Sequence, residues 1–346
     1  MMKRKVGKNI SEERLRRIEN SPNYRDGRFH NLEGVYDLSD YTSIVRMLKD
    51  MFFNKTKRRE PPRALPSIKT DLMSLNPNED IIIWFGHSSW FLQLNGKRFL
   101  IDPVLSGSAS KIKFFNRSYK GSDIYKVSDI PDIDYLLISH DHYDHLDHEA
   151  VAELKPKIKH LITGLGVGAY FEHWGFDKNI IIEKDWNQGA IFDDGFEITV
   201  APARHLSGRG RKKNQTLWVS FIIKAGNMKV FYSGDSGYGS HFRQIGEKYG
   251  PFDLAILECG QYSGHWPDSH MMPEETVQAS IDLKAEKLLP SHWAKFTLSM
   301  HAWDEPIIRV TKESCRRNVN LLHPMIGEKL DVKTPKKTEA WWEKIE

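Results

Sequence analysis

The chain has 346 residues, of which 40% are hydrophobic and 28% charged, and its net charge is +4. These proportions are those of a globular chain, not a disordered or fibrous one, and so mild a positive charge does not by itself imply nucleic acid. Cys259 and Cys315 stand far apart, which excludes a disulfide framework and a cysteine zinc site. The opening MMKRKVGKNISEERLRR is basic but leads into no apolar run, so a secretory leader is not expected, although one could have been removed. No stretch approaches the ~20 apolar residues of a spanning helix. The expectation is a soluble, cytoplasmic protein.

Residues 1–75 are polar and rich in Arg, Lys, Asn and Pro, with NKTKRREPPRALPS (54–67) the clearest breaker-rich stretch. They read as an arm wrapping a main domain at 76–346, with short helices allowed at 11–19 and 40–52, or alternatively as a partly disordered segment. From Asp80 the pattern changes. IIIWF, SWFLQL and KRFLID are apolar runs, and Asn95-Gly96 between the last two signals a hairpin. DYLLIS (134–139), HLIT, NIIIE and FEITVAPA continue as strands, with helical VGAYFEHW inserted. LWVSFIIK and MKVFYSGD form a second hairpin around Ala225-Gly226-Asn227. DLAILE leads to a helix at 273–283 that has Pro273 in first position and two glutamates in its first turn. KLLPSHW is a short strand ending at His292, and EPIIRVTKESCRR is a late helix. The expected class is α/β.

Four strands end on chemically loaded residues: His140, His205, Asp235 and His292. The run SHDHYDHLDH (139–148) carries H-x-H-x-D-H at His140, His142, Asp144 and His145. Imidazole and carboxylate are zinc-type donors, and four of them within six residues exceed what one tetrahedral ion takes from one loop. Two sites are expected. One takes His140, His142, His205 and Asp235; the other takes Asp144, His145, His292 and Asp235. Asp235 would bridge through its two oxygens. Asp102 is expected to support a ligand imidazole. His87 either does the same or fills a polar niche. Tyr143 faces the substrate or packs under the loop. Gly234 and Gly237 allow close backbone approach.

The chain resembles the metallo-β-lactamase-fold hydrolases from about Ile81 to His301. Within them it is similar to the branch of N-acylphosphatidylethanolamine-hydrolysing phospholipase D, through WFGHSSWFLQLNGKRFLIDPVLS, LLISHDHYDHLD, FYSGDSGYGSHF, GPFDLAIL, HMMPEE and PSHWAKF. The resemblance implies a four-layer αββα sandwich with two divalent ions at one edge. Zinc is the expected metal, with manganese or iron acceptable to the same donors. It also places a histidine, His270 here, beside the metals. That residue reads either as a proton donor or substrate-orienting group, or as a histidine making an ordinary hydrogen bond at the start of a helix.

The expected activity is hydrolysis of a phosphodiester by a metal-bridging hydroxide, with Asp144, Asp235 and His270 as catalytic candidates. The substrate would be a small molecule or lipid, with peripheral membrane-surface contact. A lactonase or other ester hydrolase is the alternative. A nuclease is disfavoured, because only 56 residues separate Asp235 from His292, too few for a large substrate-binding insertion. Antibiotic hydrolysis is disfavoured because Asp235 stands where a zinc β-lactamase places cysteine. Arg209, Arg211, Lys212 and Lys213, just after His205, either attract an anionic substrate or are a solvated loop.

Overall fold

In the computed structural model, the described residues are 11–35, 49–50, 56–192, 195–210 and 212–345. A short helix, Glu12–Glu19, and a two-residue hairpin, β1 (Tyr24–Arg25) and β2 (Arg28–Phe29), precede the main sheets. The helix expected at 40–52 falls, apart from residues 49–50, outside the described residues.

The first sheet has seven strands. They are β3 (Ile81–Trp84), β4 (Trp90–Leu94), β5 (Lys97–Ile101), β6 (Ile133–Ile138), β7 (Ile158–Gly164), β8 (Ile181–Lys184) and the late β15 (Lys329–Asp331), which pairs with β3. The second has six: β9 (Gly189–Ile191), β10 (Phe196–Ala201), β11 (Ser220–Ala225), β12 (Met228–Tyr232), β13 (Leu254–Glu258) and β14 (Leu288–Ser291). Asn95 and Gly96 both take positive φ, the geometry of a two-residue hairpin turn that joins β4 to β5 in register.

Side-chain alternation explains the layering. Ile82, Trp84, Leu92, Phe99 and Leu137 face one way and pack with Ile198, Val200, Phe221 and Val230 of the second sheet. Ile81, Ile83, Phe91, Leu100 and Leu136 face the other way and are covered by Val151 and Leu154 of the helix His148–Leu154 and by Phe171 of Gly168–His173. The helices His241–Lys248, Pro273–Asp282 and Glu305–Arg317 add Ile245, Val277 and Ile307 to the larger core. The result is the expected four-layer αββα sandwich.

β10 and β12 both run antiparallel to β11, so they point the same way, and β13 and β14 run parallel to β12. The C-terminal ends of β10, β12 and β14 therefore open on one edge. That edge is where the residues following β6 also converge.

Candidate metal centre

The loop after β6 is held from beneath. Asp102, which follows β5, accepts the Ser139 N–H at 2.8 Å through Oδ1. Its Oδ2 accepts the Tyr232 hydroxyl at 2.6 Å and His145 Nδ1–H at 2.8 Å. With Nδ1 so engaged, Nε2 of His145 is the nitrogen presented to the cleft. His205 is oriented the same way, because its Nδ1 lies 2.9 Å from the Ser269 carbonyl. Both follow the usual arrangement of ligand imidazoles, in which the second ring nitrogen is fixed by an acceptor. Asp147 closes the loop by accepting the N–H groups of Leu105 and Ser106 on one side and of Glu149 and Ala150 on the other.

Close packing of the backbone brings β12 up to this loop. A Cβ on Gly234 would stand 2.8 Å from the Val219 carbonyl and 2.9 Å from Ser139 Cβ, and its φ is +58°. On Gly237 it would collide with the Asp268 carbonyl. Only glycine fits either position. Three other residues of the centre, His87, Asp102 and His292, hold positive φ without being glycine. Such conformations cost free energy and persist where surrounding contacts enforce them. For His87 and His292 those contacts cross-link their two segments: His87 N–H donates to Trp293 O and His292 N–H donates to His87 O, each at 3.0 Å.

Two clusters result. In the first, His142 Nδ1 lies 3.0 Å from His140 Nε2 and 3.2 Å from His205 Nε2, while Asp235 Oδ2 is 3.8 and 3.7 Å from those two nitrogens. Donors bound at ~2.0–2.1 Å around one tetrahedral ion stand about 3.3 Å apart. In the second, Asp235 Oδ1 is 3.0 Å from His145 Nε2 and 3.1 Å from His292 Nδ1, and Asp144 Oδ2 is 3.6 Å from His145 Nε2. His87 joins this second group, which the sequence reading did not assign it to. Its Nε2 lies 3.0 Å from Asp144 Oδ2.

The electrostatics fit cation binding. Burial, reinforced by neighbouring imidazoles, pushes His140, His205 and His292 well below the usual imidazole range. Burial takes His142 and His87 down to about 4. These rings are neutral at pH 7 and offer lone pairs. Burial raises Asp235 to about 6, against the pull of His145. His145 itself is held well above the ordinary value, because Asp235, Asp144 and Asp102 together outweigh its burial. His145 Nε2 and Asp235 Oδ1 are buried and face each other at 3.0 Å without the alignment of a good hydrogen bond. Buried polar atoms so poorly satisfied are costly, and a divalent ion beside the pair would satisfy both.

The sequence reading passed over Glu258. It ends β13, is fully buried, and burial holds its carboxyl well above the usual range. Its Oε1 accepts the Met271 N–H at 2.8 Å and its Oε2 lies 2.7 Å from His270 Nδ1. Its position at the end of an apolar strand, DLAILE, was the available signal. His270 sits beside the clusters, with its ring 5.0 Å from those of His205 and His292. Tyr143 does not face the cleft: the Arg209 guanidinium lies 4.0 Å above its ring, and its hydroxyl donates to Arg209 O. Arg209 is itself spent on the Asp141 and Leu146 carbonyls. Of the basic loop, Lys213 lines the cleft, and Arg211 lies outside the described residues.

Residues 25–35 supply a wall of the cleft, whose volume is about 860 Å³. Arg25, Arg28 and Lys213 stand at its rim, and His142, Asp144, His205, Asp235, His270 and His292 at its floor. Among the described residues, no helix is long and apolar enough to cross a membrane.

Fold and cluster together define a metal-dependent hydrolase of the metallo-β-lactamase fold. The chain belongs to the family described as Beta-lactamase superfamily domain, whose model matches residues 97–293. It is 35% identical over 328 residues to protein Rv0906 of Mycobacterium tuberculosis, covering 94% of this chain and 88% of that one. It is 33% identical over 228 residues to N-acyl-phosphatidylethanolamine-hydrolyzing phospholipase D 1 of Caenorhabditis elegans, covering 62% and 64% of the two chains. This bears out the branch resemblance. Among solved structures it is similar to Igni18, a metallo hydrolase from Ignicoccus hospitalis, with a TM-score of 0.57 and 21% identity over 72% of this chain and 97% of that one.

Proposed function

We propose that the protein is a phosphodiesterase that hydrolyses an amphiphilic phosphodiester. Two divalent ions, zinc the first candidate, would be held by His140, His142, His205 and Asp235, and by Asp144, His145, His292 and Asp235. The observation that carries this reading is the cleft itself, with neutral imidazoles and carboxylates at its floor and Arg25, Arg28 and Lys213 at its rim. The similarity to the nematode phospholipase D supports the substrate class. When bound, such a metal pair supplies an activated water and stabilises charge on the attacked centre.

The protein's own residues do the rest. The cationic rim draws in the phosphate. Asp102 and the Ser269 carbonyl keep the reactive nitrogens of His145 and His205 turned inward. His270 is the proton donor to the leaving oxygen. Glu258 Oε1 accepts backbone N–H groups from Met271 and Ser236, so its proton sits on Oε2 and is donated to His270 Nδ1. That fixes the ring proton of His270 on Nε2; as it passes to the leaving oxygen, the Glu258 proton moves onto Nδ1, so the ring stays neutral and Glu258 is left as the carboxylate. The test is metal analysis followed by a hydrolysis screen over phosphodiesters, phospholipids and lactones. Efficient lactone turnover with no phosphodiesterase activity would defeat the proposal.

A further inference from the structure

We propose that residues 111–117, with the facing arm segment 57–63, form a docking surface for an anionic lipid bilayer beside the metal cleft. It goes beyond the phosphodiesterase reading, because docking is measured without turnover. Ile112, Phe114 and Phe115 are 58%, 73% and 57% exposed within four residues of sequence. Arg117 lies 5.4 Å over the Phe114 ring, but these side chains remain largely in water, and an exposed apolar group ringed by charge marks an interaction site. The ring here is cationic. The groove behind Phe114 and Phe115 is lined by Lys57, Arg59, Arg63, Arg117 and Lys120, against one carboxylate, Glu60. Lys111 and Lys113 flank Ile112, and Lys113 is matched by Glu149.

An apolar tip inside a cationic ring complements a negatively charged membrane surface: the rings enter the headgroup boundary and the cations meet the lipid phosphates. Single-stranded nucleic acid is the weaker fit. The Phe114 and Phe115 rings stand at 84° to each other, not as a stacking platform, and Ile112 has no π-face. Placement also favours a membrane. Thr297 lines this groove while the next residue, Leu298, lines the metal cleft. The docking surface and the metal cleft are therefore adjacent through Thr297-Leu298.

The full chain is to be sedimented with vesicles of phosphatidylcholine alone and of phosphatidylcholine with phosphatidylglycerol, at low and high salt. Partition onto the anionic vesicles is expected. The double change Phe114→Ser and Phe115→Ser should cut it about tenfold at either salt concentration. Lys111→Gln, Arg117→Gln and Lys120→Gln should each cut it about fivefold at low salt, and little at high salt. All these side chains are exposed, so melting temperatures should not move. Any of three results would overturn the proposal: no partition onto anionic vesicles, partition indifferent to both sets of changes, or oligonucleotide binding in place of vesicle binding. Vesicle binding without phosphodiester turnover would instead sink the activity reading and leave this one standing.

Discussion

Asn31 holds both backbone groups of His205: its Oδ1 accepts the His205 N–H at 3.0 Å and its Nδ2 donates to the His205 carbonyl at 2.8 Å. The same Oδ1 accepts Trp218 Nε1–H at 2.9 Å. One side chain from the N-terminal segment thus acts as a strand partner for a proposed metal ligand. Phe29 N–H to Asn214 O and Ser240 N–H to Glu33 add stitches on either side. Asn31→Ala should weaken binding of one of two metal equivalents by about 10–100-fold, the range for losing an outer partner of a ligand. Chelator competition with metal counting checks it. Asn31→Asp keeps the acceptor and should recover part of the loss. Two full-affinity equivalents in Asn31→Ala would remove the role.

Asp235 approaches both clusters, Oδ2 toward His140 and His205 and Oδ1 toward His145 and His292. Asp235→Asn substitutes a neutral amide with a single acceptor oxygen. Metal content should fall from two equivalents toward one or none, and kcat by at least about 10²-fold, the scale of losing one strong electrostatic group from an active site. Circular dichroism should show the fold retained. Full activity at full metal content would rule out the bridging role.

Much of the architecture was legible because its signals are local. Asn95-Gly96 announces its hairpin, and the alternation of IIIW and WFLQL sorts side chains between two cores. The clustering of candidate ligands on the loop after β6 was legible because H-x-H-x-D-H concentrates donors. What escaped depends on distant partners. β15 is three residues long and is a strand only because β3 offers an edge. The helix His148–Leu154 begins at the last residue of the run 139–148, and its Asp147 cap read as part of that charged run. Glu258 looked like the end of an apolar strand until folding set it against His270. Arg209 looked available to substrate, yet three-dimensional packing spends it on Tyr143 and two carbonyls. Nothing in residues 25–35 announces a cleft wall, since those contacts span more than 170 positions of sequence.

Docking of the first helix should be acid-sensitive. Arg14 binds both oxygens of Glu172 at 2.7 and 2.8 Å and Glu183 at 2.7 Å. The hydrogen bonds from Arg14 hold the Glu172 carboxyl below its ordinary 4.5. A group whose folded pKa is depressed stabilises fully above its unfolded value and loses that contribution as pH falls through the folded value. The helix should therefore stay docked at neutral pH and loosen below about 4.5. Amide exchange of residues 12–19, compared between neutral and acid, reads this out. Glu172→Gln should show weak protection already at neutral pH. Equal protection across the range would show that the ion pair contributes nothing.

The cleft rim makes the last prediction. Arg25, Arg28 and Lys213 are exposed at the mouth, whereas Arg209, four residues before Lys213, is engaged elsewhere. Changing Arg25, Arg28 and Lys213 together to Ser should raise KM for an anionic phosphodiester about tenfold at low salt, from roughly 0.5 kcal/mol per exposed charge. The chemical step should be nearly untouched, so kcat stays close to its starting value. The penalty should shrink as salt rises, because the Debye length is only about 8 Å near physiological ionic strength. A neutral ester of similar size should be turned over equally by both proteins. Arg209→Ser is the contrast: it breaks bonds to Asp141 and Leu146 and uncovers Tyr143, so it should lower thermal stability more than it raises KM. If the triple change leaves KM for the charged substrate unmoved at low salt, the rim does not capture the phosphate.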